Sequence, residues 1–120
     1  MFLYTDIVGM VPQFLEEPES MAVAPQSSVT LPCKVTDTKS TVVRWKFNGD
    51  FVKTNNARRF QVNGTNLYIQ KFKHRRKQES NEGIYQCIAT NEAGSLASKP
   101  ARLSKAGKKN LIVHSERQNG

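Results

Sequence analysis

Two cysteines far apart in the sequence constrain the fold of this chain of 120 residues more than any other feature. Cys33 and Cys87 are 54 residues apart. The only tryptophan, Trp45, follows Cys33 by twelve residues, and Tyr85 precedes Cys87 by two. Around these positions apolar residues alternate with polar ones, which is typical of β-strands with one buried face. Because the chain is long enough for one hydrophobic core but not for two, the strands are predicted to form one domain.

The alternation predicts the strands and the direction of their side chains once the two cysteines are taken as buried. Strands are expected at residues 29–34, 42–47, 51–54, 59–62, 67–69, 84–89 and 95–103, after a proline-broken edge strand within 12–23 that changes sheets. The predicted inward side chains are Val29, Leu31, Cys33, Val43, Trp45, Phe47, Leu67, Ile69, Tyr85, Cys87 and Ala89. Tight turns are predicted at 48–50 and at Asn63-Gly64.

The order of these residues resembles that of the intermediate-set (I-set) immunoglobulin domains of cell-surface receptors. The resemblance covers about residues 12–104 and includes Leu31-Pro32-Cys33, Trp45, Leu67-Tyr68-Ile69 and the run 83–94. It implies an all-β, immunoglobulin-like Greek-key sandwich of two antiparallel sheets. Residues 1–11 and 105–120 are expected to be tails.

The same resemblance implies a disulfide between Cys33 and Cys87, with Trp45 packed on it, Leu67 in the core and Tyr85 holding the corner of its strand. A disulfide indicates an oxidising compartment, so the domain is predicted to be extracellular and to be a piece of a longer receptor or adhesion protein. Two reduced core cysteines in an intracellular filament protein are the alternative interpretation.

The connection from Ile69 to Asn81 is longer and more basic than in ordinary I-set domains, in which the second position follows the first by about seven residues, whereas in this chain it follows by twelve. It carries five cations: Lys71, Lys73, Arg75, Arg76 and Lys77. In this the chain resembles the first immunoglobulin domain of the netrin-receptor family, which includes DCC, neogenin and protogenin. That resemblance implies a developmental or axon-guidance receptor, in which ligand sites lie largely outside the first domain.

The basic loop, defined as residues 71–80, also concentrates the charge of the chain, which is +8 from 18 Lys and Arg against 10 Asp and Glu. Such a density of cations attracts polyanions. For an extracellular domain we expect a sulfated glycosaminoglycan such as heparan sulfate, because lysine and arginine pair with sulfate as they do with phosphate. Neither nucleic acid nor direct membrane insertion is expected. The alternative is a loop that only keeps the surface solvated, since Glu79 and Glu82 lie nearby.

Two further surface features are candidate sites. Asn63-Gly64-Thr65 is the only Asn-x-Ser/Thr sequence and is predicted to accept an N-linked glycan, or else to be simply a turn. Val42, Ile84 and Ile88 are predicted to point outward and to form an apolar strip that contacts a protein ligand or a second copy. Scattered surface aliphatics, which are normal, are the alternative.

Asn81 stands where related domains have an aspartate that pairs with an arginine, for which Arg58 or Arg59 is the candidate here. Asn81 is predicted to keep a hydrogen bond but to lose the ion pair. The corner is then expected to be held by the hydroxyl group of Tyr85.

An enzyme is not expected. Both cysteines are assigned to the core, His74 and His114 lie in the loop and the tail, and no carboxylate pair or nucleophile motif is visible. A separation of 54 residues between the cysteines is unlike a zinc finger, so neither a metal nor a cofactor is expected. No apolar run approaches the roughly 20 residues of a membrane span. A structural spacer without a ligand of its own is the alternative to a recognition domain.

Overall fold

The computed structural model describes residues 11–53, 59–74 and 80–107. Within these ranges the chain forms eleven strands and no helix. The strands are β1 (Phe14–Glu16), β2 (Met21–Val23), β3 (Val29–Leu31), β4 (Lys34–Val35), β5 (Val42–Phe47), β6 (Asp50–Phe51), β7 (Gln61–Asn63), β8 (Asn66–Ile69), β9 (Gly83–Asn91), β10 (Gly94–Ala97) and β11 (Ala101–Lys105).

The strands form the two layers of an immunoglobulin-like sandwich. One layer contains the sheet β3–β8–β7 and the pair β1–β4, which are continuous because only Pro32 and Cys33 separate β3 from β4. The other has the order β2–β11–β9–β5–β6, with β10 also paired to β9. All pairs are antiparallel except β2 with β11. The predicted fold class is confirmed, including the first strand that changes sheets.

The core lies between these layers, around the disulfide between Cys33 and Cys87. Trp45 is directly opposite Cys87 in the pairing of β5 with β9, and both are buried. Leu67 on β8 and Tyr85 on β9 are fully buried as well. The predicted inward residues lie in this core, with Val43 and Phe47 packed at its partly exposed margin.

The last strand differs from its prediction. Residues 95–103 were expected to form one strand, but the structure divides them between β10 and β11. Pro100 has no N–H group to donate to a sheet, and the N–H group of Lys99 donates instead to a carboxylate oxygen of Glu17 at 2.8 Å. Ser98, the residue before Lys99, keeps this interruption attached to β9. Its side-chain oxygen accepts a hydrogen bond from the N–H group of Cys87 at 2.9 Å.

Smaller differences concern strand limits. The predicted strand 29–34 is interrupted at Pro32–Cys33, where the N–H group of Cys33 donates to the side chain of Asn66 at 3.1 Å rather than to a strand. The predicted strand 51–54 is seen as β6, with only Phe51 in common, and residue 54 lies outside the described residues.

The turn at Asn48-Gly49 joins β5 to β6 as predicted. Both residues have positive φ angles, 51° for Asn48 and 89° for Gly49, which suits a two-residue hairpin. Asn48 also contacts the start of β9, since its side-chain oxygen accepts from the N–H group of Ile84 at 2.9 Å. A Cβ atom added at Gly83 would come within 2.5 Å of that same oxygen, so only glycine fits there.

Candidate functional site

The basic loop begins at a buried anchor that the sequence pattern did not identify. Phe72 is fully buried in the core, although its neighbours Lys71 and Lys73 are exposed. Its N–H group donates to the carbonyl oxygen of Ser27, and its own carbonyl oxygen accepts from the N–H group of Gln26, both at 2.8 Å. The two lysines therefore project from a fixed segment of backbone.

The ends of the basic loop are joined by Asn81. The N–H group of Asn81 donates to the carbonyl oxygen of Lys73 at 2.7 Å, and the side-chain oxygen of Asn81 accepts from the N–H group of Lys73 at 2.8 Å. Asn81 is buried, as expected for a residue that closes a loop from inside. Its predicted role as a hydrogen-bond acceptor is thus seen at the loop base.

The described cations at this end of the sandwich include Lys71, Lys73 and Lys105, together with Arg59 at the corner below the loop. Lys105 lies there because its N–H group donates to a carboxylate oxygen of Glu82, the residue after Asn81, at 2.8 Å. The carboxylate of Glu82 is therefore held beside Lys105, where it reduces the positive potential. The predicted site residues Arg75, Arg76 and Lys77 lie outside the described residues.

The corner below the loop contains Arg59, Asn81 and Tyr85. The hydroxyl group of Tyr85 donates to the carbonyl oxygen of Asn81 at 2.6 Å. Nη2 of Arg59 donates to the carbonyl oxygen of Ser80 at 2.7 Å, and the guanidinium group lies 5.3 Å from the ring centroid of Phe47. Nε of Arg59 and Nδ2 of Asn81 are buried donors without an acceptor among the described residues.

Burial raises the pKa of Tyr85 well above its ordinary value, while the positive charge of Arg59 acts in the opposite direction. The larger effect is desolvation, because a phenolate would have to lose its hydration in the core. Tyr85 is therefore neutral and remains a hydrogen-bond donor at physiological pH.

A second candidate surface lies on the outside of the sheet that contains β5, β6, β9 and β10; we call it the outer face. Val42 is 61% exposed, and Ile88, directly opposite Arg44, is half-buried. The predicted apolar strip is divided, because Gln86 lies between Ile84 and Ile88 and its side-chain nitrogen donates to the carbonyl oxygen of Ser98 at 2.9 Å. Ile84 lies about 13 Å from Ile88 along the strand.

The outer face also carries an aromatic contact that the sequence did not indicate. The guanidinium carbon of Arg44 lies 3.6 Å from the ring centroid of Phe51, and Nζ of Lys46 lies 4.9 Å from it. The contact arises from the hairpin register, in which Phe51 is opposite Lys46. Spacing alone did not show it, because it depends on how β6 folds back on β5.

The predicted glycan acceptor Asn63 is exposed at the end of β7. Thr65, two residues later, forms hydrogen bonds within the domain. Its hydroxyl group donates to the carbonyl oxygen of Cys33, and its own carbonyl oxygen accepts from the indole N–H group of Trp45 at 3.1 Å.

No cluster of potential metal ligands and no helix able to cross a membrane occurs within residues 11–53, 59–74 and 80–107.

The model of the immunoglobulin I-set domain matches residues 12–103. I-set domains are typically recognition modules rather than enzymes.

Among curated proteins, mouse protogenin is 37% identical over 93 residues, covering 76% of this chain and 8% of protogenin. Mouse contactin-3 is 34% identical over 96 residues, covering 77% of this chain and 9% of contactin-3. Rat neogenin is 33% identical over 96 residues, covering 78% of this chain and 7% of neogenin. The predicted resemblance to protogenin and neogenin is confirmed, whereas the position of the matching domain within them stays a prediction. The chain spans less than a tenth of the length of these relatives.

Solved structures agree on the fold. The N-terminal Ig1-2 module of the Drosophila receptor protein tyrosine phosphatase DLAR has a TM-score of 0.68 and 23% identity, covering 81% of this chain and 46% of that one. A titin structure has a TM-score of 0.64 and 31% identity, covering 80% of this chain and 48% of that one. The disulfide and the similarity to cell-surface proteins together confirm the predicted extracellular location.

Proposed function

Because the chain belongs to the immunoglobulin I-set family, we propose that it is an extracellular recognition and adhesion domain whose basic loop binds a sulfated glycosaminoglycan such as heparan sulfate. The site would comprise Lys71, Lys73, Arg75, Arg76 and Lys77. We also propose that the parent protein is a developmental or axon-guidance type receptor, by analogy with protogenin and neogenin.

The observation that carries the proposal is the anchored base of the loop. Lys71 and Lys73 are exposed on either side of the buried Phe72, and Lys73 is joined to Asn81 by two hydrogen bonds. Cations held on fixed backbone lose less conformational entropy when they bind than cations on a free tail. Three more cations of the sequence, Arg75, Arg76 and Lys77, belong to the short segment between these joined ends.

The charge balance around the loop supports a polyanion rather than a single small anion. Lys105 adds a further cation at the same end of the sandwich, where its N–H group donates to a carboxylate oxygen of Glu82. Several cations spread over one end match a chain of repeated sulfates, since each lysine or arginine can contact a different group.

The test is the salt concentration needed to elute the protein from heparin, compared with that from a plain cation exchanger. A loop variant has Lys73, Arg75, Arg76 and Lys77 changed to Ser. A matched variant loses the same charge elsewhere, at the exposed residues Lys34, Lys39, Lys53 and Lys99. We expect wild type and the matched variant to need extra salt on heparin relative to the exchanger, and the loop variant to lose that excess.

If the two variants need the same extra salt on heparin, the proposal is contradicted, because heparin binding would then depend only on net charge. In that case the loop is a solvated surface and the domain is better described as a spacer. Thermal unfolding of all three proteins checks that the elution differences do not come from loss of the fold.

We further propose that Asn63 carries an N-linked glycan. Its exposure in a two-residue hairpin leaves room for the sugar, whereas the hydrogen bond from Thr65 to Cys33 occupies the hydroxyl group of the acceptor sequence once the turn has formed. Attachment would therefore precede closure of this turn. Mass spectrometry of protein from a secreting cell, with Asn63→Gln as the control, tests it; an unmodified Asn63 peptide throughout would contradict it.

A further inference from the structure

We propose that the outer face binds a protein segment that presents a carboxylate beside an aliphatic or aromatic side chain, with Arg44, Phe51, Val42 and Ile88 making the contacts. This surface is distinct from the basic loop, and the inference does not rest on glycosaminoglycan binding.

Arg44 is held ready for a carboxylate. Its guanidinium carbon lies 3.6 Å from the ring centroid of Phe51, a distance at which the planar group stacks on the ring. No described carboxylate forms an ion pair with Arg44 or Lys46. A stacked guanidinium keeps its N–H groups directed outward in its plane, so it can form a bidentate bond with little further loss of side-chain freedom.

Two described lysines elsewhere on the surface have carboxylate partners. Lys99 is paired with Glu19 at 3.3 Å, and Lys34 lies 3.9 Å from Glu16. Arg44 and Lys46 have an aromatic ring in place of a carboxylate. What distinguishes the outer face is thus an exposed arginine stacked on an exposed aromatic ring.

Apolar side chains next to Arg44 complete the surface. Ile88 is directly across from Arg44 on β9, and Ala97 on β10 is across from Ile88. Val42, two residues before Arg44 on the same face, is 61% exposed, and Phe51 is 39% exposed. Exposed aliphatic and aromatic groups around a stacked arginine have the composition of a protein-binding centre.

The positive charge of the outer face determines which kind of partner fits it. The outward positions of β5, β6, β9, β10 and β11 include Arg44, Lys46 and Arg102 and no acidic residue. Two copies meeting through this face would place these cations against one another, which costs free energy in a two-fold interface. A sulfated polysaccharide would satisfy the cations but would leave Val42, Ile88 and Phe51 without apolar partners. An acidic protein segment satisfies both.

The experiment selects peptides from a random library displayed on phage, using the disulfide-bonded full chain and excess heparin to occupy the basic loop. Enriched peptides are synthesised, and their affinities are measured for wild type, Arg44→Glu, Val42→Asp and Ile88→Asp. Lys39→Glu is the matched control, since Lys39 is exposed in the turn before β5 and is not one of the proposed contacts. Thermal unfolding of each variant verifies the fold. If Ile88→Asp fails to fold, Val42→Asp alone tests the apolar contacts.

We expect the selected peptides to be rich in Asp or Glu beside apolar residues. Their affinity should fall at least about 30-fold for Arg44→Glu and clearly for Val42→Asp, but change little for Lys39→Glu. Two results would overturn the proposal: no enrichment of acidic peptides in the presence of heparin, or equal weakening by Arg44→Glu and Lys39→Glu. Self-association of wild type that is abolished by Val42→Asp would overturn it as well, because the occupant would be a second copy.

Discussion

The middle of β9 and its N-terminal corner are both buried, but they differ in how well their polar groups are paired. In the middle, the N–H group of Cys87 donates to Ser98, and the indole of neighbouring Trp45 donates to Thr65. At the corner, Nε of Arg59 and Nδ2 of Asn81 find no acceptor among the described residues. A buried donor without a partner costs about 1–3 kcal/mol.

The difference shows that stability is concentrated in the middle of the strand, while the corner that closes the basic loop is held by fewer favourable contacts. Asn81 contributes both to closing the loop and to the poor pairing of polar groups at the corner. It bridges the loop base to Lys73, yet it supplies no charge to Arg59. The expected outcomes below range from the largest effect, in the middle, to the smallest, at the corner.

Removal of the disulfide by the double change Cys33→Ala and Cys87→Ala should lower the free energy of unfolding by roughly 4 kcal/mol, from the entropy of the opened loop of 54 residues. Urea unfolding measures this loss. Chemical reduction of wild type should give a similar change. A loss below about 1 kcal/mol would mean that the middle of β9 does not dominate stability.

Gly83→Ala should destabilise the protein by about 3 kcal/mol, from the positive φ of 155° and the overlap with Asn48. Gly94→Ala is the matched control, because Gly94 has a φ of 145° but no atom within 4 Å of an added Cβ. The control should cost about 1 kcal/mol, from backbone strain alone. Equal losses at both glycines would show that contact with the β5–β6 turn does not matter.

Tyr85→Phe should cost about 1–2 kcal/mol, because the carbonyl oxygen of Asn81 then loses its donor. The variant should also change the pH dependence. The pKa of Tyr85 is raised in the folded state, so its contribution is fully present below the ordinary pKa near 10 and is lost as the pH rises above it.

Above pH 10 the wild type should therefore lose up to about 1.4 kcal/mol per pH unit more than Tyr85→Phe does. Urea unfolding of both proteins between pH 8 and about pH 11 measures the difference. Parallel pH profiles would contradict a buried, neutral phenol at the corner.

Asn81→Asp should stabilise the protein by about 1 kcal/mol at neutral pH, the smallest effect in this series. The new carboxylate would accept from Arg59 while still accepting from Lys73, so that two unpaired donors are removed. The gain should disappear in acid, as the carboxyl group is protonated. In an Arg59→Met background the same change should be destabilising; a gain that persists there would contradict the pairing.

Much of the framework was predictable from local patterns. Alternation identified β5 and β9, and the spacing shared with the I-set family indicated the bridge between Cys33 and Cys87. Phe72 was assigned to a surface loop, because a run of lysines and arginines around a single apolar residue has no periodicity that marks it as buried. The break at Ser98–Pro100 was missed although Pro100 is a local signal for it; only the hydrogen bond from Lys99 to Glu17, more than eighty positions away, could not be read from the local pattern.

The sequence by itself determined the fold class, the strands that carry the core, and the concentration of positive charge in one loop. These follow from side-chain period, from residue spacing and from a count of charges. Only the tertiary structure decided that Lys73 and Asn81 close the base of that loop, that Arg59 donates to the carbonyl oxygen of Ser80, and that Arg44 stacks on Phe51. The physical reason is that these contacts join residues across strands and turns, where the register of pairing, and not the local pattern, sets which side chains meet.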